Sequence, residues 1–153
     1  MPRHAAGQLS TDDIIAIQQL NARYVVAIDD LVPSSAAVWA NTFTPDGSFT
    51  LRDSAGHIQV HAKGTAQLKA QCVKFPDRAN TRHWFTNLLI ELDDEGVRMT
   101  CYLISLDTKP TSPAAAAIAA IARTGVYRDI LRKLNGNWKF TTREVTLDAG
   151  SSG

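Results

Sequence analysis

An α+β fold, with N-terminal helices closing a cone of curved antiparallel (mixed) sheet as an α+β barrel, is predicted by three features of this 153-residue sequence. Apolar residues recur at helical spacing up to about Asp30; they alternate with polar ones in long runs after Arg82; and an Asn135-Gly136 hairpin signal splits the last of those runs. Helices that come first and a long antiparallel sheet that comes later pack with the helices on one sheet face. At 44% hydrophobic the chain can bury one good core, so 1–153 is read as a single domain, with its core at about 10–148 and flexible termini.

Ser10 or Thr11 caps a first helix that opens with Asp12 and Asp13. Ile14, Ile17, Leu20, Tyr24, Val25 and Ile28 give it an apolar face running to about Asp30. Pro33-Ser34-Ser35 interrupts. Ala36 to Phe43, with Trp39 and Phe43 on nearby faces, reads as a short second helix ended by Thr44-Pro45-Asp46-Gly47. Ser48 to Arg52 and His57 to His61 flank a hairpin-sized gap, and Gly64 precedes a third helix from Thr65 to about Phe75. Two long antiparallel pairs follow. Arg82 to Leu92 joins Val97 to Asp107 through Asp93-Asp94-Glu95-Gly96, and Thr124 to Leu134 joins Asn137 to Leu147 through Asn135-Gly136. Between the pairs, the Ala-rich segment Pro110 to Ala122 is either a short helix or a loop over the sheet mouth.

A net charge of +1 with acids and bases mixed throughout gives no footprint for nucleic acid or an anionic membrane, so a small neutral or weakly charged ligand is the easier partner. No apolar run approaches the roughly 20 residues that span a bilayer. Cys72 and Cys101 have neither a CxxC spacing nor the density of a disulfide scaffold, and no charged-then-apolar leader opens the chain; a cytoplasmic location is expected.

Alternation from Arg82 puts His83, Phe85, Asn87 and Leu89 on one strand face and Trp84, Thr86, Leu88 and Ile90 on the other. A histidine on such a face is commonly a core residue satisfied by a carbonyl, and Tyr24 on the helix stripe is commonly a core aromatic. Asp29 is less ordinary, because a carboxylate at a helix C-terminus opposes the dipole there. It either lies against an imidazole, making His83 a better base, or forms a turn before Pro33, a role Asp30 serves equally. His57 and His61 share a strand face but lack a third ligand, so no metal site is expected. Cys101 shares a face with Met99 and Leu103 and reads as packing. The absence of GxSxG, P-loop and dinucleotide motifs leaves cofactor-free acid–base chemistry. Tyr102 and Tyr127 are strand tyrosines suited to hydrogen-bonding a substrate oxygen, whereas Arg128, Asp129 and Arg143 read as a surface charge lattice. Trp84, Leu88 and Ile90 facing outward suggest self-association as a homodimer or homotrimer.

The stretches "IQQLNARYVVAIDD", "WANTFTPDGSF", "NTRHWFTN" and "GVYRDILRKLNGNWKFTTREV", in that order, resemble the SnoaL-like group of the nuclear transport factor 2-like superfamily over about Asp12 to Leu147. The resemblance implies a cone of curved sheet closed by helices. Within that superfamily it is similar to scytalone dehydratase, bile-acid 7α-dehydratase and hexachlorocyclohexane dehydrochlorinase, whose Asp–His pair removes a proton during elimination. Asp29, His83 and Tyr24 match the aspartate, histidine and tyrosine of that pattern. The second histidine of scytalone dehydratase has no match, Asp107 or Thr108 standing in its neighbourhood, and the stretch after Asp30 is longer. The implied function is a cofactor-independent lyase in which His83, oriented by Asp29, takes a carbon-bound proton while Tyr24 hydrogen-bonds the leaving oxygen or a carbonyl. Trp39, Phe43, Phe85, Asn87, Tyr102 and Tyr127 are the expected substrate-binding residues. An isomerase or polyketide cyclase using the same dyad, and a non-catalytic ligand-binding or assembly subunit, are the alternatives.

Overall fold

A computed structural model describes residues 8–76, 78–109 and 119–151. Helix α1 (Thr11–Asp29) starts at a capping box. Ser10 Oγ accepts from the Asp13 N–H at 3.1 Å, and the Asp13 carboxylate accepts from the Ser10 N–H at 3.3 Å. Asp13 Oδ1 also accepts from Lys133 Nζ (2.7 Å) and Trp138 Nε1 (2.9 Å), which fixes the start of the helix to the last hairpin and holds the carboxyl well below the usual carboxylate range.

Helix α2 (Ser35–Ala40), strands β1 (Phe43–Arg52) and β2 (Ile58–Lys63), and helix α3 (Gly64–Lys74) follow. A 3-10 turn at Arg78–Asn80 then leads into β3 (Thr81–Asp93), β4 (Gly96–Asp107), β5 (Ala120–Leu134) and β6 (Asn137–Leu147). The fold is α+β. Its one sheet runs β2-β1-β6-β5-β4-β3 and is mixed: β1 and β6 are parallel and every other pair antiparallel. Among the described residues β2 and β3 are the sheet's edges, so the helices, not strand closure, cover the inner face. There Ile17, Leu20 and Tyr24 of α1, Trp39 of α2 and Leu68 of α3 meet Phe49, Leu131, Phe140 and Val145. Trp39 packs with the rings of Phe43, Tyr24, Phe49 and Phe75 at 5.2, 5.4, 5.6 and 5.8 Å.

Four expectations change. The Thr44-Pro45-Asp46-Gly47 segment, expected as a turn ending a helix at Phe43, lies within β1, where the register to β6 shifts between Phe43 and Ser48. Gly47 makes this possible, because a Cβ there would lie 2.9 Å from both Phe140 O and Phe43 Cβ. In β3 the simple alternation fails at Asn87, whose φ of +55° marks an irregularity between Thr86 and Leu89. Leu88 and Ile90 therefore pack against the core, while Asn87 and Leu89 are exposed. Asp129 and Arg143, read as part of a surface lattice, are both fully buried, because β5 and β6 present them on the inner face with Tyr127 and Val145. Finally, β5 begins at Ala120, ahead of the predicted Thr124; residues 110–118 of the Ala-rich segment lie outside the described residues.

Candidate functional site

The end of α1 delivers Asp29 to the start of β3. One carboxylate oxygen lies 2.6 Å from His83 Nδ1 and the other accepts the His83 backbone N–H at 3.0 Å. The neighbouring Asp30 is occupied otherwise: its side chain accepts the Val32 N–H at 3.1 Å and forms the turn. Of the two roles weighed for these adjacent aspartates, the imidazole contact therefore belongs to Asp29 and the turn to Asp30. An ionised carboxylate only accepts hydrogen bonds, so Nδ1 carries the proton and a neutral His83 presents the lone pair of Nε2.

Arg78, which the sequence did not flag, holds this arrangement in place. Its guanidinium donates to Ile28 O (2.7 Å), Ala27 O (3.0 Å), Asp30 O and Ser35 Oγ (2.9 Å), covering carbonyls that a helix end leaves without partners. The only available signal was an arginine just ahead of the histidine strand, which is too common to single out.

His83 borders a cavity of about 210 Å³ enclosed by the sheet, α1 and the α3–β3 connection. Phe49, Leu51, Phe75, Leu103 and Val145 form its apolar wall, and Arg78, Ser105, Asp107 and Arg123 line the other side with His83. Tyr127 is in the wall as well. The remaining candidates stand elsewhere. Tyr24, Trp39, Phe43 and Phe85 lie in the aromatic layer behind the cavity rather than in its lining. Asn87 and Tyr102 are on the outer side, where Tyr102 (47%), Leu89 (54%) and Trp84 (60%) are exposed.

Beneath the cavity floor is a closed polar cluster. Arg143 lies 3.4 Å from Asp129, donates to Asn21 Oδ1 at 2.7 Å, and is stacked within 4.0 to 5.0 Å of the rings of Tyr24, Phe140, Tyr127 and Phe85. Burial pushes Asp129 up to about 7 against the pull of Arg143. Arg143 itself stays cationic. Burial likewise pushes Tyr127 up to about 12 and holds Tyr24 well above the ordinary phenol range, so both phenols are hydrogen-bond donors at neutral pH. The Tyr24 hydroxyl approaches that of Tyr127 without reaching hydrogen-bond geometry. His57 pairs with Asp53 at 3.2 Å and His61 with Thr50 Oγ1 at 2.9 Å; among the described residues no group of three metal-ligating side chains forms. No helix among them is long and apolar enough to cross a membrane.

None of the curated proteins matches this sequence. Solved structures do. A protein of unknown function with a cystatin-like fold from Nostoc punctiforme shares 23% identity over 94% of this chain and 97% of its own, with a TM-score of 0.73. ActVI-ORFA from Streptomyces coelicolor shares 23% over 90% and 98%, with a TM-score of 0.72. A Catenulispora acidiphila protein, solved in complex with S-DNPA, shares 25% over 90% and 95%, with a TM-score of 0.69. The sequence signature of the SnoaL-like domain matches residues 10–144, nearly the whole described fold including both members of the Asp29–His83 pair, and the chain belongs to that family.

Proposed function

We propose that this protein is a cofactor-independent lyase that carries out a dehydratase-like elimination on a small hydrophobic substrate, with His83 as general base and Asp29 as its orienting partner. The observation that carries the reading is the 2.6 Å Asp29–His83 contact beside an apolar-walled cavity. Asp29 fixes the Nδ1–H tautomer, so Nε2 is the basic nitrogen, and it stabilises the imidazolium that forms when Nε2 takes a carbon-bound proton. The cavity's 210 Å³ falls below the roughly 300–1,000 Å³ of drug-sized pockets and favours a substrate of one or two rings. That the Catenulispora relative was solved with S-DNPA supports ligand binding in this fold. Tyr127, which reaches the cavity wall, takes the place first considered for Tyr24 as the phenol nearest the substrate.

The test is turnover of a panel of hydroaromatic alcohols and cyclic hydroxyketones, with products read by mass. Loss of water marks the lyase; unchanged mass marks an isomerase or cyclase using the same dyad. His83→Ala and Asp29→Asn should each lose about 10²- to 10⁴-fold in rate with little change in melting temperature. Wild-type turnover in both variants sinks the reading. A second element of the proposal is self-association through the outer sheet face, favoured by the exposure of Trp84, Leu89 and Tyr102. Purification as a homodimer fits it, whereas dependence on a large partner chain points to an assembly subunit.

A further inference from the structure

We infer that a water molecule is bound between Asp129 and Arg143 beneath the cavity floor, with the Tyr24 hydroxyl as its third partner, so that a buried solvent bridge joins α1 to β5 and β6.

Unpartnered polar atoms are concentrated at this place in the fold. Among the described residues, eight buried side-chain nitrogen and oxygen atoms have no hydrogen-bond partner, and five of them belong to these three residues: Asp129 Oδ1 and Oδ2, Arg143 Nε and Nη1, and the Tyr24 hydroxyl. The other three are scattered singly over Trp39, Thr44 and Thr141. Buried polar side chains are nearly always hydrogen-bonded, so five orphans in one cluster call for a common partner. Asp129 and Arg143 stand directly opposite each other across the β5–β6 ladder, and neither side chain reaches solvent. Nε and Oδ1 lie 3.4 Å apart without forming a hydrogen bond. A molecule about 2.9 Å from each atom closes that triangle. The Tyr24 ring lies on the same guanidinium, its centroid 4.0 Å from Arg143 Cζ.

The orphan set selects the chemistry of the ligand. Arg143 offers only N–H donors, the Asp129 carboxylate only acceptors, and the phenol serves either way. One molecule that both accepts and donates satisfies all three. An anion would meet the Asp129 carboxylate, and a cation the Arg143 guanidinium, at close range where the dielectric is low. The three residues are each at most 2% exposed, which calls for a small, fully enclosed molecule. Buried waters make about three hydrogen bonds to otherwise unsatisfied groups, the number that these residues supply. Nη2 is already committed to Asn21 Oδ1 at 2.7 Å, so the bridge uses Nε or Nη1.

The bridge also gives the Tyr24 phenol a function. That hydroxyl is absent from the cavity lining, and its partner in the cluster fixes α1 to the sheet one and a half turns ahead of Asp29. Tyr24 is thereby a positioning residue of the helix.

A high-resolution crystal structure of the full chain tests the site directly. A density peak should lie about 2.7–3.2 Å from Arg143 Nε or Nη1 and from an Asp129 oxygen. In solution, the Arg143 Nε–H should show cross-relaxation to water with NOE and ROE of opposite sign, the mark of a held water as distinct from simple proton exchange. That signal should survive in Tyr24→Phe, where two of the three partners remain. If it vanishes there, it came from the exchanging phenol proton and the water is refuted. A direct hydrogen bond from Arg143 to Asp129 with no density between them overturns the inference as well. An anomalous peak at this position after a bromide soak would mark an anion site and overturn the choice of water.

Discussion

Removing Arg78 tests whether the Asp29–His83 pair is held by a helix end rather than by its own contact. The guanidinium reaches three main-chain carbonyls of the α1 terminus, Ala27, Ile28 and Asp30, as well as Ser35 Oγ. Hydrogen bonds from a charged donor contribute about 1.5–3 kcal/mol each, and a partly solvated site belongs at the low end of that range. Nη2 is shared among three acceptors, so two full bonds are a fair count, giving about 3 kcal/mol for Arg78→Ala. For a domain of this size that corresponds to a fall of about 6–12 °C in melting temperature. Arg78→Lys keeps the favourable charge at the helix C-terminus but cannot fork, and should recover roughly half. The local readout is the ¹⁵N spectrum of the His83 ring. In the wild type the proton resides on Nδ1, and loosening of Asp29 in Arg78→Ala should shift the tautomer signal toward that of a free imidazole. Circular-dichroism melting within about 2 °C of wild type, together with an unchanged ring spectrum, would refute the reasoning.

Three further outcomes are expected. Asp129, raised by burial from 3.8 to about 7, binds its proton more tightly folded than unfolded, so its contribution to stability is present at low pH and is lost as pH rises from about 4 through 7. Urea denaturation at pH 5 and pH 8 should show that loss in the wild type and a flatter dependence in Asp129→Asn; equal slopes would remove the assignment. Gly125 packs so closely on β6 that a Cβ would lie 2.6 Å from Thr146 O, so Gly125→Ala should destabilise by about 1–3 kcal/mol, read from the same denaturation curves. Trp84→Glu, placed on the outer sheet face, should convert a dimer to a monomer by light scattering at micromolar concentration, and a wild type already monomeric there would contradict the proposed interface.

The helix stripe of Ile17, Leu20, Tyr24 and Ile28, the Ser10 cap and the Asn135-Gly136 turn are local signals. Each acts within a few residues, so the sequence alone determined the order of elements and the α+β class. The Asp29–His83 pair was legible through family resemblance, and only to the point of choosing between Asp29 and Asp30. That choice belongs to the tertiary structure, because it depends on where α1 ends relative to β3, and Arg78 sets that end from a distant part of the chain. The cavity wall was out of reach for the same reason. A bulge at Asn87 resets which side chains of β3 face inward, and a period-2 reading carries no term for a positive φ. Asp129 and Arg143 look like ordinary surface charges in sequence, since a buried ion pair is defined by what surrounds it. Ser105 joins His83 at the cavity only because strand register sets the two opposite each other. Periodicity fixes which face a residue takes, but long-range packing decides which faces enclose a site and which side chains meet there.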